Sequence, residues 1–364
     1  MQINKICEKF GVKIIAQKDI KNGIINTTKI VTDISGKKYI LQEINNDVFN
    51  DIDKLMDNIA KVSEYIHKMH KKNKDSIDTY YLLTASNNFY TSEKDEKEKP
   101  HFFRMYKYIS NASTYDEADE YLLFQAGVGF GNFQKVLQSF PSNELHETIY
   151  NFHNTPYRYN ILLQAINFAK TNNPKRYKNA KTTINFAIRN NEIANIIIDK
   201  IENKKIPIRV VHNDTKLNNV VLSNKDHKPV AVIDLDTVMP GSLLFDYGDA
   251  IRYCANTATE DETNVGLINI DYKKLKAFTK GYIQETKNIL TPEEISLMPI
   301  SPEILAYELG IRFLTDYLQN DKYFKIDSNR PNHNLERAIS QFTIAEKFKK
   351  ERAKIAKIIN DELK

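Results

Sequence analysis

The chain has no tryptophan, and only two of its 364 residues are cysteine, Cys7 and Cys254. Two thiols so far apart build neither a disulfide framework nor a cysteine zinc site, so a reducing compartment, the cytoplasm, is expected. Glycine and proline are sparse too, 11 of each, which excludes collagen-like and low-complexity classes. No apolar run approaches the roughly 18 to 20 residues of a membrane span. Met1 to Phe10 is interrupted by Lys5, Glu8 and Lys9 and so lacks the apolar centre of a signal sequence. Charge of one sign is also lacking: 52 basic residues face 47 acidic ones, a net +5. No basic block interleaves with aromatics, so neither nucleic acid nor membrane is an expected partner. What remains, 41% hydrophobic and 27% charged, is ordinary for a globular protein. At this length two lobes are expected rather than one small core.

One stretch stands out. His212-Asn213-Asp214-Thr215-Lys216-Leu217-Asn218-Asn219 is followed by a hairpin turn at Ser223 to Asp226, and then by Val230-Ala231-Val232-Ile233 ending in Asp234. This order, His-x-Asp-x-x-x-x-Asn, hairpin, apolar strand, Asp, has the spacing of the catalytic loop and metal strand of protein-kinase-like phosphotransferases. Phosphoryl transfer needs a carboxylate to orient the attacking hydroxyl and oxygen ligands to hold magnesium on the phosphates. Asp214 suits the first role, and Asn219 and Asp234 suit the second. Each alone reads as an ordinary loop or strand-end polar residue; together, at this spacing, they favour a kinase. Asp236 shares the Asp234 face if the strand continues, and either reaches a second magnesium or stays a solvated carboxylate. Asp246, beyond Pro240-Gly241-Ser242, is expected to hydrogen-bond the loop backbone, and Asp249 and Arg252 to pair on one helix face.

The flanking pattern predicts an α+β, protein-kinase-like two-lobe fold: an antiparallel β lobe with one main helix, then a larger, mostly helical lobe. Residues 12–45 alternate in three bursts, β-strands with turns at Lys21-Asn22-Gly23 and Ser35-Gly36-Lys37. Ile52, Leu55, Met56, Ile59, Val62 and Ile66 recur at helical spacing. Tyr80 to Leu83 and Phe102 to Tyr106 read as two more strands, with Ser92 to Pro100 a charged loop between them. Arg104 to Ser110 would be the hinge, so the lobes divide as 1–109 and 110–364. Its Tyr106 and Tyr108 either pack on an adenine or serve as buried strand aromatics. Residues 116–140, 157–170, 179–203, 301–320 and 335–362 read as helices.

In the expected phosphate-covering turn Gly23 is the lone glycine, with Asn26 and Thr27 as side-chain donors; a plain polar hairpin fits the same residues. The third strand, Tyr39-Ile40-Leu41-Gln42, ends in Gln42 where a kinase places its phosphate-gripping lysine. An amide donates hydrogen bonds but supplies no charge. Lys216, two residues past Asp214, is a candidate to neutralise the transferring phosphate, or is a solvated loop lysine.

The segments 212–219 and Ile233-Asp234-Leu235-Asp236-Thr237-Val238-Met239-Pro240-Gly241 resemble the N-acetylhexosamine 1-kinase family, a branch of the aminoglycoside-phosphotransferase-like kinases. Gly23 to Thr28, Tyr39 to Gln42, Asn151 to Pro156, Arg312 to Leu318 and Tyr323-Phe324 extend the resemblance over nearly the whole chain. It implies ATP and Mg2+ as cofactors and the anomeric hydroxyl of a small-molecule sugar as acceptor. His153, Arg312 and Tyr323 fall at its sugar-contacting positions, beside Asp214. Without the resemblance, Arg312 and Asp316 read as an intrahelical ion pair and His153 as a brace before Pro156. Another small alcohol as acceptor, including an aminoglycoside or choline, or a nucleotide-binding pseudokinase, stays open. The protein is expected to be a monomer or weak dimer.

Overall fold

The computed structural model describes residues 2–20 and 26–364. In chain order they begin with helix α1 (Ile3–Lys9), strands β1 (Ile14–Ile20), β2 (Thr27–Asp33) and β3 (Lys38–Ile44), and helix α2 (Ile52–Lys72). Strands β4 (Thr91–Lys94), β5 (Pro100–Lys107) and β6 (Ala112–Ser113) follow. Next come helices α3 (Glu120–Leu137), α4 (Thr155–Asn172), α5 (Pro174–Asn179), α6 (Lys181–Arg189) and α7 (Ile196–Glu202). Strands β7 (Arg209–Val211), β8 (Val220–Ser223) and β9 (Pro229–Val232) precede helices α8 (Leu243–Cys254), α9 (Tyr272–Thr286), α10 (Pro292–Leu297), α11 (Ser301–Leu318) and α12 (His333–Leu363). None of these helices is long and apolar enough to cross a membrane. The result is the two-lobe α+β architecture expected, with a β-rich first lobe and a larger helical second one.

Contacts divide the chain into two compact units. The first gathers Met1–Thr114, Ser139–Tyr150 and Asn219–Pro240. Its main sheet is antiparallel in the order β1-β2-β3-β5-β4, and a smaller one runs β6-β8-β9. Alternation along the strands gives the main sheet two faces. One packs Val31, Leu41, Phe103 and Met105 against Ile6, Cys7 and Phe10 of the first helical segment. Helix α2 starts where the Asp51 side chain accepts from the Lys54 N–H at 3.1 Å and ends in the basic run His70-Lys71-Lys72. The six apolar residues picked out by its spacing are all buried, each worth about 2 kcal/mol of transfer free energy.

Two strand expectations need correction. Tyr80 to Leu83 forms no named strand, but runs beside β5 through single bonds, Leu83 N–H to the Met105 carbonyl and Lys107 N–H to the Tyr81 carbonyl. The strand lies instead inside the charged segment: Thr91–Lys94 pairs with β5, and Asp95 accepts from the Lys97 and Lys99 N–H groups to close the turn. Charges are at home on such an edge strand, which is why composition hid it.

The second unit holds Tyr115–Gln138, Asn151–Asn218 and Gly241–Lys364. Helix α11 is buried along almost its whole length and packs on α4, α8 and α12. Helices α3 and α9 approach so closely that a Cβ on Gly127 would lie 2.2 Å from the Phe278 carbonyl oxygen, and one on Gly281 2.1 Å from that of Phe124. Residues 179–203, read as one helix, are broken into α6 and α7 around Asn190, Asn191 and Asn195, poor helix formers, the first of which donates its amide to the Phe186 carbonyl.

Candidate active site

In the second unit the loop from His212 is built around one buried carboxylate. Ser242 caps α8 by accepting from the Leu244 N–H, which sets Asp246 in the first helical turn. Asp246 accepts from the His212 N–H at 2.9 Å, the Asn213 N–H at 2.7 Å and the Gln134 amide of α3 at 2.6 Å. Its carbonyl accepts from the Thr215 hydroxyl at 2.7 Å. Burial pushes the Asp246 carboxyl up, and these partners only partly offset that. The fully buried His212 ring meets the edges of Phe130 and Phe133, and Asn213 takes a left-handed conformation, φ 63°. The loop is thus held from behind while the Asp214 side chain stays a quarter exposed. Lys216 reaches it at 2.9 Å, and this carboxylate raises the ammonium's pKa against the effect of burial. Asp249 and Arg252 pair at 2.9 Å as their spacing predicts.

The first unit carries the other half of the motif. Asn219 closes the short 3₁₀ turn Leu217–Asn219, and its carbonyl accepts from the Ile233 N–H at 2.9 Å, so the backbones of Asn219 and the Asp234 turn are joined. Asp234 sits in the left-handed region, φ 62° and ψ 58°, a conformation costly for a non-glycine residue. A carboxylate and an amide oxygen are hard donors of the kind magnesium accepts while keeping water and phosphate in its other positions. Among the described residues no group of three or more His, Cys, Asp or Glu could hold a metal alone. The Asn219 amide oxygen and the Asp234 carboxylate fit magnesium as a partial donor set, which other ligands would complete. Asp236 has both oxygens engaged, one 2.5 Å from Arg104 Nη1 and the other accepting from the Asn26 amide at 2.6 Å. Gln42 takes two guanidinium N–H bonds from Arg104 and donates to Thr28. Tyr106 stacks on Tyr80 at 4.3 Å, and Lys38 lies over the Tyr108 ring. Thr27 is exposed at the start of β2, and Gly23 lies outside the described residues.

A third cluster lies in the second unit. Asn154 caps α4 by accepting from the Tyr157 N–H. His153 Nδ1 contacts buried Glu308 at 2.7 Å, whose other oxygen accepts from the Thr155 hydroxyl. The opposite ring nitrogen, Nε2, is buried with no hydrogen-bond partner among the described residues. The Arg312–Asp316 ion pair does not form, because Asp316 instead accepts from the backbone N–H groups of Lys322, Tyr323 and Phe324 and from Asn334. That leaves the Arg312 guanidinium lying over Phe152, Tyr323 and Phe324 at 5.0, 6.0 and 5.6 Å, with no carboxylate in salt-bridge range among the described residues. Arg158 is close enough that burial and then Arg312 lower its pKa.

A family model described as "Phosphotransferase enzyme family" matches residues 17–278, well over half of the chain. The chain belongs to this family. As a small-molecule phosphotransferase it also shares its fold with solved structures at low identity. An aminoglycoside phosphotransferase from Alicyclobacillus acidocaldarius superposes with a TM-score of 0.60 at 13% identity, covering 99% of this chain and 97% of that one. A microcompartment-associated aminopropanol kinase gives 0.59 at 13% identity over 93% of each chain. Plasmodium vivax ethanolamine kinase gives 0.52 at 14% identity, over 90% of this chain and 82% of that one.

Three residues of this phosphotransferase have no place in the sequence motif yet join its clusters: Arg104, Glu308 and Arg158. Arg104 left a signal, a lone charge inside the apolar run Phe102 to Tyr106. Glu308 had the same mark on α11. For Glu308 burial works to raise the carboxyl, but His153 and then Arg312 outweigh it and hold it below its ordinary value of 4.5. A carboxylate depressed in the folded state contributes stability above its unfolded pKa and loses it as pH falls through the folded one. Acid melts of wild type should therefore show a loss below about pH 4.5 that is smaller in Glu308→Gln; parallel curves would remove Glu308 from the account.

Proposed function

We propose that the protein transfers the γ-phosphoryl group of ATP, as its magnesium complex, to the anomeric hydroxyl of an N-acetylhexosamine. Asp214 orients the acceptor hydroxyl and takes its proton as the new P–O bond forms. Lys216 holds that carboxylate in place and faces the charge developing on the transferred group. Asn219 and Asp234 hold magnesium, which when bound screens the phosphate charge. In this reading Asn26 and Thr27 lie on the phosphate side, and Tyr106 and Tyr108 on the adenine side.

The observation that carries the acceptor class is the Arg312 cluster. A guanidinium framed by aromatic faces, and an imidazole nitrogen buried without a hydrogen-bond partner among the described residues, suit neutral hydroxyl and carbonyl groups. In this reading His153, Arg312 and Tyr323 contact the sugar. The second reading, an amine-bearing alcohol, is favoured by the names of the similar structures, which include aminopropanol and ethanolamine kinases. An ammonium calls for carboxylates or an open aromatic cage. Here two guanidinium groups stand together, and the buried acid beside them, Glu308, is engaged by His153 and Thr155.

Magnesium-dependent ADP release over N-acetylglucosamine, N-acetylgalactosamine, glucose, galactose, choline and kanamycin tests this. Turnover should be confined to the N-acetyl sugars, with an acid-labile, alkali-stable product phosphate. Arg312→Gln should raise the acceptor KM by roughly tenfold or more, the loss of a charge-assisted hydrogen bond of about 1.5–3 kcal/mol. Preferred turnover of choline or kanamycin would replace this reading by the second.

A further inference from the structure

Thr28, Gln42 and Arg104 are direct cross-strand partners on β2, β3 and β5, so their side chains leave the same face of the sheet in one row. Arg104, at the far end of that row, is 0% exposed. A guanidinium fully removed from water is tolerated only when its fork is paired. Nε and Nη2 both donate to the Gln42 oxygen, at 2.9 and 2.8 Å, and Nη1 meets Asp236 at 2.5 Å. Among the described residues, neither that nitrogen nor the Asp236 oxygen facing it has any other hydrogen-bond partner. The second Asp236 oxygen accepts from Asn26, whose own oxygen accepts from the Asn45 N–H at the end of β3. The row therefore continues through Asp236 into the turn that starts at Asp234.

That turn needs holding. Asp234 occupies a left-handed conformation that is costly for a side-chain-bearing residue and persists only where its surroundings fix it. The Asn219–Ile233 backbone bond fixes it on one side. On the other, Asp236 is gripped by Arg104 and Asn26, and the Val238 carbonyl by Asn58 of α2 at 3.0 Å.

We propose that Arg104 is the positioning cation of the donor half: from β5, through Asp236, it fixes the turn that presents Asp234 to magnesium, taking over from the lysine that kinases carry where Gln42 stands. This rests on the reading of Asp234 as a magnesium ligand. It also accounts for Gln42. A lysine at 42 would set a second cation against Arg104, whereas an amide oxygen accepts two of its N–H groups. Lysine is a mobile point charge; an arginine with its fork locked is suited to fixed geometry. Arg104 touches no nucleotide in this role and acts only through the turn.

The test is calorimetry of full-length protein with adenylyl imidodiphosphate, in magnesium and in EDTA. Arg104→Met should lose roughly tenfold or more of the magnesium-dependent gain in affinity, while affinity in EDTA stays within about twofold. Gln42→Lys alone should also lose it, and the double variant Gln42→Lys with Arg104→Gln, which returns the cation to β3, should recover most of it. A wild-type magnesium response in Arg104→Met, or a double variant no better than Arg104→Met, overturns the proposal. If Arg104→Met does not fold, Asp236→Asn, of the same shape without the charge, carries the same expectation and is overturned by the same wild-type response. Wild-type protein that binds no nucleotide would instead sink the donor reading beneath it.

Discussion

Asp214→Asn is expected to lower phosphotransfer by roughly 10²–10⁴-fold, the range for a positioned general base, with magnesium–nucleotide affinity held within about twofold. The separation follows from where the residue sits. Asp214 belongs to the loop of the second unit, whereas Asn219 and Asp234 belong to the first. It forms an ion pair with Lys216, and the loop's shape is set by Asp246 behind it. Asparagine keeps the side-chain size and a donor-acceptor pair, so the loop should survive and the proton acceptor alone should be lost. Thermal stability should stay close to wild type. Steady-state turnover paired with nucleotide calorimetry checks both halves, and turnover within threefold or so of wild type would remove Asp214 from the chemistry.

Asp246→Ala should do the opposite on stability. It leaves the N–H groups of His212 and Asn213 and the Gln134 amide without an acceptor, in a place sealed from water. Each buried donor left unmade costs about 1–3 kcal/mol, so for the three a loss of roughly 3–9 kcal/mol is expected. That is a large part of the 5–15 kcal/mol typical of a whole domain. Activity should fall as well, because the backbone that aims Asp214 loses its anchor. Asp246→Asn should be milder, since one oxygen can still accept while its new N–H₂ opposes a donor. Urea unfolding decides it: an Asp246→Ala midpoint within error of wild type would mean that the loop holds itself.

The contrast between these two aspartates is legible in the amino-acid order. Spacing alone sets Asp214 in the loop and Asp246 behind it, and the α2 stripe from Ile52 to Ile66 is readable residue by residue. Other features are hidden by the ambiguity of local pattern. The charged strand Thr91–Lys94 looks like loop because an edge strand needs no apolar face. The break in 179–203 falls at asparagines, whose low helix propensity is a weak signal inside an otherwise helical run. The Arg312–Asp316 spacing promises an ion pair. Tertiary demand overrides it, since the Asp316 carboxylate is taken by three backbone N–H groups around Tyr323. Arg104 is visible as an anomaly in a strand, but its partner Asp236 lies 132 residues further along the chain, a pairing no local pattern reports.

The first unit is assembled from three separate stretches of chain, the last of which ends at Pro240. During synthesis β1 to β6 therefore leave the ribosome long before β8 and β9 exist to complete them. At about 5–20 residues per second, the wait from Thr114 to Pro240 lasts on the order of ten seconds. For that time the edge of β6 that pairs with β8 is bare, and the Arg104 guanidinium is made but has no Asp236 to meet. The first unit, although it opens the chain, is the unit that must finish late, and a nascent chain stalled before residue 220 would carry an open sheet edge into a crowded cell.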